Sequence, residues 1–171
     1  MEALQGKKLI LLFRLLKDAS KKKGAKLAFQ TEHSTESTLN SDTTITKDGP
    51  INTGTSVEEE IPFTCIMARG DEVAEMLKKA HREAEIVEVW EVDITKKNEN
   101  DKYPAEYRQG LITSFSKTAN SEDLIELSVT LKVNGIAQSG ELTLTADQEE
   151  VVQYAFRDTE IVSEESEIVS E

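Results

Sequence analysis

From Asp123 the letters alternate without a break. Ile125, Leu127, Val129, Leu131 and Val133 fall on one side, and Leu124, Glu126, Ser128, Thr130 and Lys132 on the other. A period of two is the mark of a strand with one face buried and one wet. Asn134-Gly135 follows, a pair that readily takes the positive backbone angles of a tight turn, and Glu141 to Leu144 then alternate again. This spacing predicts a β-hairpin at the edge or centre of a sheet, with the rest of the domain paired to it. Thr145 is placed to cap a short acidic helical turn, after which Val151, Val152, Tyr154 and Phe156 return to apolar packing.

Similar reasoning gives the remaining elements. Lys8 to Leu16 is an apolar run bounded by polar residues, a buried strand. Lys26 to Glu32 alternates through Leu27 and Phe29, a second strand. Val57 to Met67 places Ile61, Phe63, Cys65 and Met67 on one face. Pro62 cannot donate to a ladder, so this strand is expected at a sheet edge or with a bulge. Gly70-Asp71 opens one good helix with the stripe Val73, Met76, Leu77, Ala80 and Ala84. Ile86 to Ile94 and Ala105 to Ser116 are further strands. About seven strands and one helix predict a mostly β (α+β) domain, a sandwich or curled sheet flanked by the helix.

The segment His33 to Glu60 is different. Ser, Thr, Asn and Asp dominate, and its large apolar residues are Leu39, Ile45, Ile51 and Val57. So long a polar stretch is uncommon in a compact domain and tends to be functional. Within it, Asp48-Gly49 is a turn signal between threonine-rich flanks, which predicts a two-stranded arm over residues 34–60. Such a ribbon is marginal alone and needs a partner molecule to pack on. The contact residues expected on it are Thr44, Ile45, Thr46, Lys47, Asp48, Gly49, Pro50 and Ile51.

Charge and chemistry narrow the function. The chain has 171 residues and a formal net charge of -13, which argues against tight nucleic-acid binding. The charge is polarised: residues 1–30 hold eight Lys/Arg against two acids, and residues 142–171 hold one Arg against nine acids. Opposite ends favour head-to-tail association. No apolar run approaches the ~20 residues of a membrane span, and no cleavable leader is evident. The single Cys65 fits a reducing compartment and reads as a buried core residue. With two histidines, His33 and His81, at no ligand spacing, no phosphate-cradling glycine loop and no serine elbow, neither a metal, a cofactor nor catalysis is expected. Arg69-Gly70-Asp71 matches an adhesion tripeptide but sits where a helix start needs glycine and aspartate. The end of the chain repeats Glu-Ile-Val-Ser-Glu at 160–164 and 167–171 and is expected to be a flexible acidic tail after one domain spanning 1–159.

Several stretches resemble the major tail proteins, or tail tube proteins, of long non-contractile-tailed bacteriophages of Gram-positive hosts. They are GKKLILL (6–12), KLAFQTEH (26–33), TKDG (46–49), EIVEVWEV (85–92), QGLITSFS (109–116) and LTADQEEVVQY (144–154), in matching order over residues 6–159. The resemblance implies a β-sandwich subunit flanked by a helix and bearing the arm. Six subunits would form a ring, and rings would stack into the virion tail tube through which DNA is ejected. Its partners would be further copies of itself and other tail proteins (tape measure, distal tail and tail terminator), with no membrane. The protein would be made in the host cytoplasm. DNA would be cargo that must not stick, so acids on polar strand faces are candidates for the lumen wall: Glu58, Glu60, Glu91, Asp93 and Glu126. The alternative is a small acidic adaptor that grips one protein partner with the 34–60 arm.

Overall fold

The computed structural model describes residues 5–95 and 97–144. Nine strands join in one hydrogen-bonded sheet: β1 Leu9–Leu15, β2 Ala25–Lys26, β3 Gln30–His33, β4 Glu36–Thr46, β5 Gly49–Ile66, β6 Val87–Asp93, β7 Tyr103–Thr118, β8 Glu126–Val133 and β9 Gln138–Leu142. The order is β2-β1-β6-β7-β8-β5-β3, with β4 beside β5 and β9 beside β7, and every pairing is antiparallel. One helix, α1 Glu72–Glu83, packs against β7 and β1.

The sheet curls so that strands distant in this order face each other. Phe13 of β1 and Phe63 of β5 meet at 4.9 Å between ring centroids. Leu11, Leu15, Val87, Val89, Ile61, Cys65, Leu127, Val129 and Leu131 fill the interior around them, and α1 closes it with Val73, Ala74, Leu77 and Ala80. The two ends of the sheet are joined by a side chain. Gln30 of β3 accepts from Leu11 N–H (3.0 Å) and donates to Leu11 O (2.7 Å), so its amide stands in for a missing strand partner. A second apolar layer lies on the opposite face of β1 and β6, with Ile10, Leu12, Val92, Ile94, Tyr103 and Leu144 buried and Trp90 half-buried. β1 and β6 are therefore covered on both sides, which is why the Leu9–Leu15 run is continuously apolar rather than alternating. Cys65 is buried, as its place in the pattern predicts.

Four expectations are corrected. The predicted hairpin at Asn134-Gly135 does not form. β8 and β9 both run antiparallel along the same side of β7, with Gly110 opposite Val133 and Tyr107 opposite Gln138. Three steps along β7 take five along its partner, so two extra residues bulge out, and Gly135 supplies the positive φ (79°) that the bulge needs. The turn chemistry was present, but the chain resumes its direction instead of reversing. Lys26 to Glu32 is not one strand: Phe29 takes φ 48°, and the pieces on either side pair at opposite ends of the sheet order. Pro62 lies in a strand with neighbours on both sides. Ser34 donates to Pro62 O (3.0 Å), but proline has no N–H to return, and the ladder is interrupted between β3 and β4 at this level. Ala84 leaves the helical stripe: it caps α1 in the left-handed region (φ 51°) and is exposed. The predicted helical turn from Thr145, the apolar return to Phe156 and the acidic tail lie outside the described residues.

At Gly110, β7 and β8 approach so closely that a Cβ would collide with the carbonyl oxygen of Lys132 and the Leu131 side chain. Gly110→Ala is expected to lower the unfolding free energy by about 3 kcal/mol, the upper end of overpacking costs, in urea titrations followed by Trp90 fluorescence.

Candidate functional site

The arm is the outer length of β4 and β5. Eleven residue pairs run from Glu36 opposite Glu60 to Thr46 opposite Gly49, with one bulge after Asn40. Lys47 and Asp48 are the central turn residues, one position earlier than the Asp48-Gly49 signal implies, and Gly49 carries the positive φ (125°) at the start of β5. At ~3.3 Å per residue the ribbon reaches roughly 35 Å. Both of its faces are exposed. Partners directly opposite share a face, so Leu39 with Val57 and Ile45 with Pro50 put two apolar pairs on one face, with Ser41, Thr43 and Asn52 between them, while Thr44 with Ile51 lies on the other. Leu39 is 63 %, Ile45 82 % and Ile51 57 % exposed. Local bonds keep the ribbon in register: Thr43 donates to Asn52 (2.8 Å), Thr46 to Gly49 O (2.8 Å), and Asn40 to Glu58 (3.0 Å). The predicted contact residues 44–51 thus sit together at the tip.

The root of the ribbon is charged on both faces. On the inner face Arg108, 4 % exposed, reaches carboxylates on three strands: Glu59 of β5 (3.1 Å), Glu91 of β6 (3.1 Å) and Glu106 of β7. His33 Nε2 lies 3.2 Å from Glu91, Thr35 donates to the same carboxylate (3.3 Å), and Ala137 N–H donates to Glu59 (3.3 Å). On the outer face Lys132 Nζ lies 3.0 Å from Glu58 and 3.9 Å from Glu60. Sequence reasoning placed Glu58, Glu60 and Glu91 but missed Arg108, Glu59, His33 and Lys132. The available signal was Arg108 itself, a charge at a position whose alternation with Gly110 and Ile112 points it inward.

The five acids proposed for a channel wall therefore differ. Glu91 is engaged by His33 and Arg108, and the His33 bond first, with Arg108 nearby, holds its carboxyl below the ordinary value of 4.5. Asp93 accepts from Thr95 N–H (2.8 Å). Glu58 and Glu60 share Lys132, and Glu126 is exposed beside Ile66 and Thr118. Among the described residues no group of three or more His, Cys, Asp or Glu is placed to hold a metal.

Comparison with known proteins is consistent with a shape built for assembly. A family model described as phage tail tube protein matches residues 3–139. A tail protein of Staphylococcus phage phiMR25 is 33% identical over 156 residues, covering 88% of this chain and 80% of that one. A tail tube protein of Bacillus phage SPP1 is 34% identical over 97 residues, 57% of this chain and 36% of that one. The SPP1 tail tube structure, from solid-state NMR and cryo-electron microscopy, superposes with a TM-score of 0.76 at 26% identity, covering 95% of this chain and 96% of that chain. A tail structure of a gene transfer agent particle, refined with C6 symmetry, shares the fold at a TM-score of 0.64 and 11% identity, over 80% of this chain and 98% of that one.

The depressed Glu91 carboxyl makes a pH prediction. Its contribution to stability is fully present above pH 4.5 and is lost as pH falls below that value. Urea midpoints measured from pH 7 to pH 3 are expected to fall in the acid range, and to fall less steeply in Glu91→Gln.

Proposed function

This chain belongs to the phage tail tube protein family, and on that premise we propose how it builds the tube. It is a structural protein of the phage tail. The observation that carries the reading is the ribbon: eleven paired residues that no other element covers among the described residues, apolar side chains exposed on both faces, and a core that draws no residue from it. An isolated ribbon of this kind gains its stability from a neighbour.

In our reading six subunits form a ring and rings stack. Residues 44–51 at the ribbon tip lie against another subunit, and the apolar pairs Leu39–Val57 and Ile45–Pro50 mark the face that is buried there. The contact is heterologous, one surface meeting a different surface on the next copy, so it propagates without closing. The sequence is basic over its first 30 residues and acidic over its final 30, a charge asymmetry that suits association of unlike surfaces. An adaptor gripping an unrelated protein would use the same ribbon, but family membership favours a second copy of the chain. Tape measure, distal tail and terminator proteins are the expected neighbours at the tube's ends, and the host cytoplasm the expected place of synthesis.

DNA is the cargo. A repeated wall must not attract phosphate, because even a weak attraction multiplied along the tube would hold the strand. Glu58, Glu60, Asp93 and Glu126 remain our candidates for that wall. Glu91 is set aside, because its side chain is only 11 % exposed and is bound to Arg108, whereas Glu58 and Glu60 are half exposed.

Two experiments test this reading. Replacing residues 41–55 by Asn-Gly joins Asn40 to Ser56, which already pair. The shortened chain is expected to unfold cooperatively near the unaltered midpoint yet form no tubes by electron microscopy; tubes of normal length would refute the arm's role. In phage carrying Glu126→Lys, tails are expected to assemble while DNA delivery slows at least tenfold, and unchanged delivery would remove Glu126 from the wall.

A further inference from the structure

β5 is a single strand with two environments. From Glu60 to Ile66 it pairs with β8, and outward from Glu60 its ladder partner is β4. Past Glu60 the ladder has two strands, and among the described residues no third strand braces the ribbon where it leaves the body. Two-stranded ribbons twist and bend freely, so a ribbon held only at its base would sample a wide cone.

The side chains at that level converge from both faces. Glu59 lies on the inner face, in line with Ile61, Phe63 and Cys65, and is gripped by Arg108 and by Ala137 N–H of the β8–β9 bulge. The other leg of the ribbon is held at the same height, since Thr35, one residue before β4, donates to the Glu91 carboxylate that Arg108 also binds. On the outer face Lys132, the β8 residue opposite Glu60, spans Glu58 and Glu60 (3.0 and 3.9 Å) and so joins the last body residue to the first ribbon residue on that face.

We propose that Arg108 and Lys132 form a two-sided ionic clamp that fixes the direction of the arm before assembly, making them positioning residues for tube formation. The proposal rests on the reading of the ribbon as the inter-subunit arm. Arg108 presents fixed planar donors to carboxylates on three strands, a geometry that specifies direction as well as attraction. Lys132 is half exposed and acts as a point charge across the hinge.

The full chain suits a direct measurement of arm direction. Cys65 is 1 % exposed and burial pushes its thiol up to about 11, so it escapes labelling at neutral pH. Spin labels at Asp48→Cys on the tip and Lys79→Cys on the exposed side of α1 report the tip-to-body distance in the unassembled subunit by pulsed electron resonance. One variant is Arg108→Met with Glu59→Gln and Glu91→Gln, which neutralises the buried partners together rather than orphaning one; Glu106, half exposed, is left in solvent. The other is Lys132→Gln, at a half-exposed position that keeps the test decisive if the first variant fails to fold. We expect one narrow distance peak for the parent, a peak at least twice as broad in the variants with a cooperatively folded body, and at least tenfold fewer tubes. A peak as narrow as the parent's in a folded variant would overturn the clamp, as would broadening with an undiminished number of tubes. A parent chain that forms neither rings nor tubes would count against the tail tube mechanism itself, whatever the distances.

Discussion

Everything in this molecule is constrained by the continuity of β5. Its 18 residues form one strand, and from Val57 inward to Ile66 its pleat is unbroken, the bulge opposite Asn40 and Ser41 lying further out. Its inward positions are occupied by Ile61, Phe63 and Cys65 in the core, by Glu59 at the boundary, and by Val57 in the ribbon, where inside and outside no longer exist. The switch from apolar to ionic and back to apolar along one face follows the change in surroundings: an enclosed core, a rim where a charge can be matched by other strands, and open solvent. Pro62 sits just inside this boundary and removes one bond of the ladder that β5 makes with β3 and β4, so at that level the backbones are joined by the bond from Ser34 N–H to Pro62 O. The ribbon is thus joined to the body by a covalently continuous β5 and an interrupted partner.

The element types were legible in the letters, while their pairing was not. Alternation depends on local burial, and β8 and the inner half of β5 announced themselves that way, while β1 showed as a continuous apolar run. Pairing depends on where the chain goes after a turn signal, and Asn134-Gly135 carries the same backbone preference whether it reverses the chain or lets it bulge. Gly110 decides the matter structurally, by letting β7 and β8 close up just before the bulge, but a glycine within a strand has no unique meaning in sequence. At Phe29 a bulky residue takes a left-handed conformation that no propensity would assign to it. The arm was readable because its composition breaks from the rest of the chain. Its root was not, because Arg108 is 49 residues from Glu59 and 17 from Glu91, and only the curled sheet brings them together.

An apolar root would bury the same surface at less desolvation cost, and replacing buried ion pairs by packed hydrocarbon is often neutral or stabilising. The ionic root is better explained by what else the site must do. Apolar contacts are non-directional, so a greasy hinge would hold the ribbon to the body without fixing its angle. A planar guanidinium that meets carboxylates on β5, β6 and β7 is satisfied in few orientations, and any swing of the ribbon carries Glu59 out of reach. A subunit that must add to a growing assembly loses rotational and conformational freedom on joining, and every degree of freedom removed beforehand lowers that cost. On the proposed reading the ordering is done by charges at the base of the arm, which leaves the exposed hydrocarbon of Leu39, Ile45, Ile51 and Val57 free for a neighbouring subunit.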